Sequence, residues 1–550
     1  MRAAERDIDD AFRANALAGR DRATCLRAVL GQAEDRIWRG YLGGTQGNDL
    51  QQGAETTNVV YDMRIAVEWA LKLSEGVAAH PGPIEVTGEL YDAAYDLWAL
   101  VFSYSDFYQA LSRGGRGEIR LRLDGSEIIA DHRLLGGAPY EVYNHFLEPR
   151  GLPSMRLDVA DPKHDKVKES IARSTLLDEV EGRFSLVQPQ RTVGEVRDAM
   201  RGQLAGKFTL PEEWRFSRYS LSEFREAFLV MAALTFMQLQ ARIFTAPECK
   251  ARGVDGALFI RSKEWIVRTV TNATSVPEMA VRAIVEDLTY GSRKMREPDP
   301  ALQPLIPLGD DLMLSPALWL NSAPERNLCV LLNRIPEEKA EYEKLVGFKE
   351  PLMAERIGKE LSGIGIEPRC RLPSPQTGAP DVDALIVDLR TRLALVVELK
   401  WFIAPAEPIE TTHRAEDLTK GLRQLRELRT LFESQPALRR SCLGIPEDFE
   451  VVYLVASENW IGDGVHQDPD FPIIQLDHLL SKIVAAKDLR AVATWLSGRQ
   501  YLPVEGKDFE VREVFREVAG WKLRWYGMKP LAPERFLPGI HRKHEDGGTA

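Results

Sequence analysis

The first third of the chain repeats its apolar residues at helical spacing. Val60, Met63, Val67, Ala70 and Leu71 fall on one helix face, and Gly76 supplies a stop. Tyr91, Tyr95, Trp98 and Phe102 make an aromatic stripe on a second helix. Such a stripe can stack bases, but at this spacing it is the face that packs into a core. The period drops to two over residues 118–132 (EIRLRLDGSEIIADH), which predicts a hairpin turning at Asp124-Gly125. The glycine-rich stretch 40–53 lacks the G-K-[ST] ending of a phosphate loop and reads as an ordinary connection.

Helical and extended patterns alternate through the middle third. Ser220 and Glu223 predict a capping box ahead of a long apolar helix reaching about residue 244. Ser275 and Glu278 predict another, with Val281, Ile284, Val285 and Leu288 as the buried stripe. Residues 258–270 read as a strand, and 305–314, broken at Gly309-Asp310, as a hairpin. From residue 337 the pattern changes. A helix over 340–361 leads to strands at 383–387 and 393–400, joined by a turn at 388–392. A charged helix over 416–433 follows, then a buried strand at 451–456 and a last strand at 473–476 that runs into a helix near Asp477. That order suits a central mixed sheet flanked by helices.

These patterns predict a multidomain chain: a mainly helical N-terminal region (1–155), an α+β middle region (156–335), an α/β domain (336–490) and a C-terminal extension with a polar tail (491–550). With 550 residues, 44% hydrophobic and 28% charged, the chain can bury several cores, and neither disorder nor low complexity is its main character. Its longest apolar run, about 228–237, falls short of the ~20 residues of a membrane span, and its first residues show no secretory signal. Five cysteines without C-x-x-C spacing and nine scattered histidines give neither a disulfide framework nor a zinc knuckle. The expectation is a reduced, cytoplasmic protein with no membrane partner. A net charge of −11 excludes a basic nucleic-acid coat, although a local basic strip remains compatible with it.

The chemistry lies in the predicted hairpin at 383–400. Strand side chains alternate, so Glu398 and Lys400 share a face, as do Asp381 and Asp383. The intervening LALVV run is apolar on both faces and belongs to an interior, where charges cost several kcal/mol unless paired or bound to metal. Two converging carboxylates suit a hard cation such as Mg2+ or Mn2+. An adjacent lysine can orient water or offset charge on a phosphoryl group. The competing reading is a salt bridge of Lys400 with Asp383 or Glu398 in a non-catalytic sheet. Trp401, on the opposite face, is expected in the core, and His413 and His478 are expected in surface or capping roles.

At Pro380-Asp381-Val382-Asp383 and Glu398-Leu399-Lys400, fifteen residues from Asp383 to Glu398, the sequence resembles the PD-(D/E)xK nuclease superfamily over about residues 340–480. The resemblance implies a restriction-endonuclease-like fold. It also implies that Asp383, Glu398 and a glutamate of the preceding helix hold Mg2+ or Mn2+, with Asp381 as an auxiliary acid. Glu355 fits the helix position best, with Glu350 and Glu360 as alternatives. Lys400 would serve catalysis, and Gln424 in KGLRQLREL fits the glutamine many members carry on the following helix. That helix also presents Lys420, Arg423, Arg426 and Arg429 opposite an apolar stripe of Leu418, Leu422, Leu425 and Phe432. The cations could meet a phosphate backbone, or stand as a solvated face with pairs such as Arg423–Glu427.

The resulting expectation is a divalent-metal-dependent nuclease acting on nucleic acid, DNA foremost. Its N-terminal regions would select the target, regulate cleavage or assemble an oligomer or a complex with a regulatory protein. The alternative is an inert nuclease-fold protein that binds nucleic acid or serves as a scaffold in a defence or repair assembly.

Overall fold

A computed structural model describes residues 2–43, 49–78, 86–131, 137–147, 162–178, 183–186, 190–245, 256–295, 297–403, 408–464 and 467–531. The chain divides into two compact units, one from Met1–Ser105 and Gly151–Glu343, the other from Asp106–Arg150 and Lys344–Ala550. This division cuts across the linear borders expected from the sequence pattern: residues 106–150 belong with the C-terminal half. Among the described residues, no helix is long and apolar enough to cross a membrane.

The first unit is mainly helical, with small sheets. Its long apolar helix, Leu221–Thr245, begins at the expected capping box: the Ser220 amide donates to Glu223 Oε2 at 2.7 Å and the Glu223 amide to Ser220 Oγ at 3.2 Å. The hairpin Ile306–Leu308/Asp311–Leu314 turns at Gly309, whose φ is +64°. Two expectations fail here. The strand expected at 258–270 ends after Phe259–Ser262, because Ser262 Oγ accepts from the Trp265 amide and starts the helix Lys263–Ala273. Ser275 caps nothing: Pro277, with its fixed φ, stands at the N-cap of the helix Glu278–Asp287.

In the second unit we number the elements as follows. The N-terminal contribution is β1 (Arg120–Asp124), β2 (Glu127–Asp131) and α1 (Ala138–Leu147). Then come α2 (Lys349–Glu360), β3 (Glu367–Leu372), β4 (Val382–Asp388), β5 (Leu393–Trp401), α3 (Pro408–Ser434) with the short unnumbered helix Pro436–Leu443 after it, β6 (Glu450–Glu458), β7 (Ile473–Gln475), α4 (Leu476–Ala486), α5 (Leu489–Ser497), β8 (Phe509–Val518) and β9 (Trp521–Pro530). The helix expected over 340–361 is two, Pro336–Val346 and α2. Proline is tolerated only in the first turn of a helix, so the chain breaks at Gly347-Phe348 and restarts where Pro351 falls in that turn.

Strands β3, β4 and β5 pair antiparallel, and β5, β6 and β7 parallel, giving a five-stranded mixed sheet of order β7-β6-β5-β4-β3. Central β5 is buried from Leu393 to Leu399. Each buried Val or Leu contributes about 1.5–3 kcal/mol, so this run fixes the register of the whole sheet. Helices α2, α3, α4 and α5 pack their apolar residues into the same core.

A second sheet, β1-β2-β9-β8, joins the two chain segments of the unit. Its expected β1–β2 hairpin turns at Gly125. The β8–β9 hairpin lies inside what the sequence pattern presented as an extension. It turns through Ala519 and Gly520, both at positive φ, as a two-residue hairpin requires. Residues 44–48 of the glycine-rich stretch, Cys249, and the tail with His541 and His544 lie outside the described residues, as does the side chain of His413.

Candidate active site

Register places the acids. The β4–β5 ladder runs from Leu393↔Asp388 to Val397↔Ala384, so the next rung would set Glu398 opposite Asp383. Residues directly opposite in an antiparallel pair share a face. The ladder ends there, and Asp383 Oδ2 takes over as acceptor for the Leu399 amide, at 2.8 Å. The Asp383 carboxylate is thus tied to the backbone of β5, and Glu398 stands near the end of that buried strand. Glu398 is only 3% exposed.

Lys400, two residues on, turns back along the same face. Its Nζ lies 2.7 Å from Glu398 Oε1 and 3.5 Å from Glu350 Oε1. Glu350 stands in the first turn of α2, and it is the helix acid that the fold brings to the hairpin. Glu355, the expected ligand, is exposed, and its charge acts on Cys370 instead. At helical spacing Glu350 shares the face of the buried Met353, Ala354 and Ile357, whereas Glu355 points away from it. Glu360 is taken by Arg356, whose Nε donates to it at 2.8 Å. Asp381 is exposed, close enough to Asp383 to raise its pKa.

The electrostatics follow from this crowding. Burial pushes Glu398 up to about 7, with Lys400 pulling it down and Asp383 pushing it up. Burial likewise lifts Asp383 to about 6, eased by the Leu399 amide and Lys400 and opposed by Glu350 and Asp381. Burial works against the Lys400 ammonium, yet Glu398, Glu350 and Asp383 outweigh it and hold its pKa above the ordinary lysine value. Three acids therefore surround one cation. Among the described residues, no group of three or more His, Cys, Asp or Glu side chains forms a ready metal cage. The donor chemistry nonetheless fits a hard divalent ion: carboxylate oxygens whose mutual repulsion a cation would relieve.

Helix α3 closes the site from above. A Cβ on Gly421 would fall 3.0 Å from Lys400 Cε and 3.4 Å from Glu398 Cγ, so a side chain here would press on the flexible end of Lys400. Gln424, one turn further, leaves Oε1 buried without a hydrogen-bond donor among the described residues. The expected apolar stripe of α3 is buried throughout.

Its cations are largely spoken for. Arg426 pairs with Asp468, Arg429 with Asp470 at 2.9 Å, and Arg423 with Glu427 at 3.9 Å. Arg426 and Arg429 therefore anchor the loop before β7 rather than standing free for phosphate. Lys420 is exposed with no ion pair to a described residue. Trp401 is half-buried, with the Lys349 ammonium 5.0 Å from its ring centroid.

His478 has no surface or capping role. Its Nδ1 shares a 2.8 Å hydrogen bond with the Tyr143 hydroxyl, beside Trp495, and burial lowers its pKa to about 4. Sequence reasoning missed Gly421 entirely, although a glycine inside a strong helical pattern is a signal of close packing. No protein-family model, curated protein or solved structure matches this chain.

Proposed function

We propose that the second unit is a metal-dependent nuclease domain of restriction-endonuclease-like fold, hydrolysing phosphodiester bonds of nucleic acid, DNA foremost. The observation that carries this reading is the convergence of Asp383, Glu398 and Glu350 on Lys400 at the end of a buried hairpin. A purely structural ion pair needs one acid; three place surplus negative charge in a site where it costs stability.

In this reading Asp383, Glu398 and Glu350 hold Mg2+ or Mn2+, and Glu355 takes no part. A divalent ion bound there supplies Lewis-acid polarisation of a phosphoryl oxygen and acidifies a water. Lys400, released from Glu398, offsets the charge that develops on the phosphoryl oxygens and orients the attacking water. Gln424, with its unsatisfied oxygen, positions that water or a substrate group. Lys420 is the α3 cation best placed to meet a phosphate. The first unit selects the target, restrains the nuclease or assembles an oligomer or a complex with a regulatory protein.

A second reading, an inert nuclease-fold scaffold, draws on the Lys400–Glu398 bond and on the internal pairing of Arg426 and Arg429. Supercoiled plasmid, single-stranded DNA and RNA incubated with Mg2+ or Mn2+ separate the two. Cleavage by the wild type, lost in folded Asp383→Ala and Lys400→Ala, supports the nuclease. Equal silence of all three proteins, with nucleic-acid binding retained, supports the scaffold.

A further inference from the structure

The first unit contains a polar cavity lined by its own residues. It measures about 270 Å³ and is lined by Gln190, Val193, Arg261, Trp265, Thr269 and Asn272, among others. Trp265, Thr269 and Asn272 fall at helical spacing on Lys263–Ala273, so one face of that helix forms a wall. Gln190 and Val193 come from the first turn of the helix Gln190–Leu204. Arg261 enters from the strand Phe259–Ser262.

Arg261 is the unusual member. Its guanidinium lies against a pair of neighbouring rings, 5.3 Å from the centroid of Phe259 and 5.5 Å from that of Trp265, the two rings being 6.0 Å apart. Its Nη1 donates to the Ile260 carbonyl at 2.7 Å. Among the described residues it has no ion-pair partner, and no carboxylate lines the cavity. Burial lowers its pKa from the ordinary arginine value, and the charge of Asp311 offsets that only in part. An arginine stays charged in a protein, so a half-buried one with no ion pair costs free energy unless an anion answers it. The rings hold the planar fork in place, which is the preorganisation that bidentate capture of a carboxylate or phosphate uses. Gln190, Thr269 and Asn272 add neutral donors and acceptors, and the Trp265 ring offers a flat apolar wall.

We infer that this cavity is a binding site for a small anion, a phosphate or carboxylate group on a compact, partly apolar body, gripped by Arg261. The inference rests on the first unit alone and is independent of nuclease activity. Calorimetric titration of the full chain with phenyl phosphate, benzoate and inorganic phosphate tests it. Saturable binding of phenyl phosphate or benzoate is expected, and which of them binds more tightly identifies the head group. Arg261→Gln should weaken that binding about tenfold or more, the weight of a charged hydrogen bond. Arg268→Gln, an exposed neighbour, should leave it unchanged. Should Arg261→Gln fail to fold, Asn272→Asp keeps the test open: a carboxylate at the exposed rim answers Arg261 internally and should abolish binding without disturbing the core. Absence of saturable binding by all three probes, or equal affinity in folded Arg261→Gln and Asn272→Asp, overturns the proposal.

Discussion

The Cβ that Gly421 lacks would sit 3.0 Å from Cε of Lys400, so the position of one helix residue governs how the lysine lies over Glu398. Replacing Gly421 with alanine adds about 1 kcal/mol of helix propensity. It also pushes on the flexible end of Lys400. The expected result is a folded protein of unchanged or slightly raised melting temperature whose metal-dependent cleavage falls about tenfold, a loss of roughly 1.4 kcal/mol in transition-state stabilisation. Unchanged cleavage would mean that the lysine does not depend on this contact.

Glu350 and Glu355 stand five residues apart on α2 with opposite fates. Glu350→Gln should weaken Mn2+ binding and lower cleavage about a hundredfold, a typical cost of losing an electrostatic group at a reacting centre. Glu355→Gln should stay within about twofold of wild type, as an exposed residue with no partner in the site. Calorimetry and a gel assay on the two variants decide between them, and the reverse order would restore the sequence-based assignment.

Burial holds the Glu398 carboxyl up at about 7, above its ordinary value of 4.5. A folded-state pKa above the unfolded one means the native protein keeps a proton that the unfolded chain releases. Stability from this group is therefore full below about 4.5 and is lost as pH rises through about 7. Denaturant midpoints measured from pH 4 to 8 should fall more steeply in wild type than in Glu398→Gln, by on the order of 1 kcal/mol over that window. Saturating Mg2+ should flatten the wild-type curve, because the ion answers the charge that pH exposes. Parallel curves for the two proteins would contradict the assignment.

Tyr143 carries the N-terminal segment into the core of the second unit. It is fully buried against His478 and Tyr501, and its hydroxyl is bonded to His478 Nδ1. Tyr143→Ala should cost about 3–5 kcal/mol, the price range of emptying a large aromatic site. A fragment beginning at Lys344, which lacks Tyr143 and the β2 partner of β9, should fail to unfold cooperatively. A cooperative transition in that fragment would show that residues 106–150 are dispensable.

Much of the hairpin was legible in the sequence. Alternation placed Asp383 and Glu398 on one face, and the apolar run between them fixed the register that sets them opposite each other. What escaped was information carried by tertiary partners. Which glutamate meets the hairpin depends on which face of α2 packs on the sheet, the face of Met353, Ala354 and Ile357. Arg426 looked free because Asp468 lies far along the chain, beyond any helical i, i+4 rule. The β8–β9 hairpin was hidden because each strand mixes charges with apolar residues. Its β9 strand also pairs with β2, nearly four hundred residues earlier.

The most direct test measures Mn2+ binding and phosphodiester cleavage on the same preparations of wild type, Glu398→Gln and Lys400→Gln, each shown to be folded. The wild type should bind Mn2+ and cut; Glu398→Gln should do neither; Lys400→Gln should bind the ion at least as tightly as wild type and fail to cut. A Glu398→Gln protein that still binds and cuts, or a wild type that does neither even with oligonucleotide present, would contradict the assignment of this hairpin as a nuclease active site.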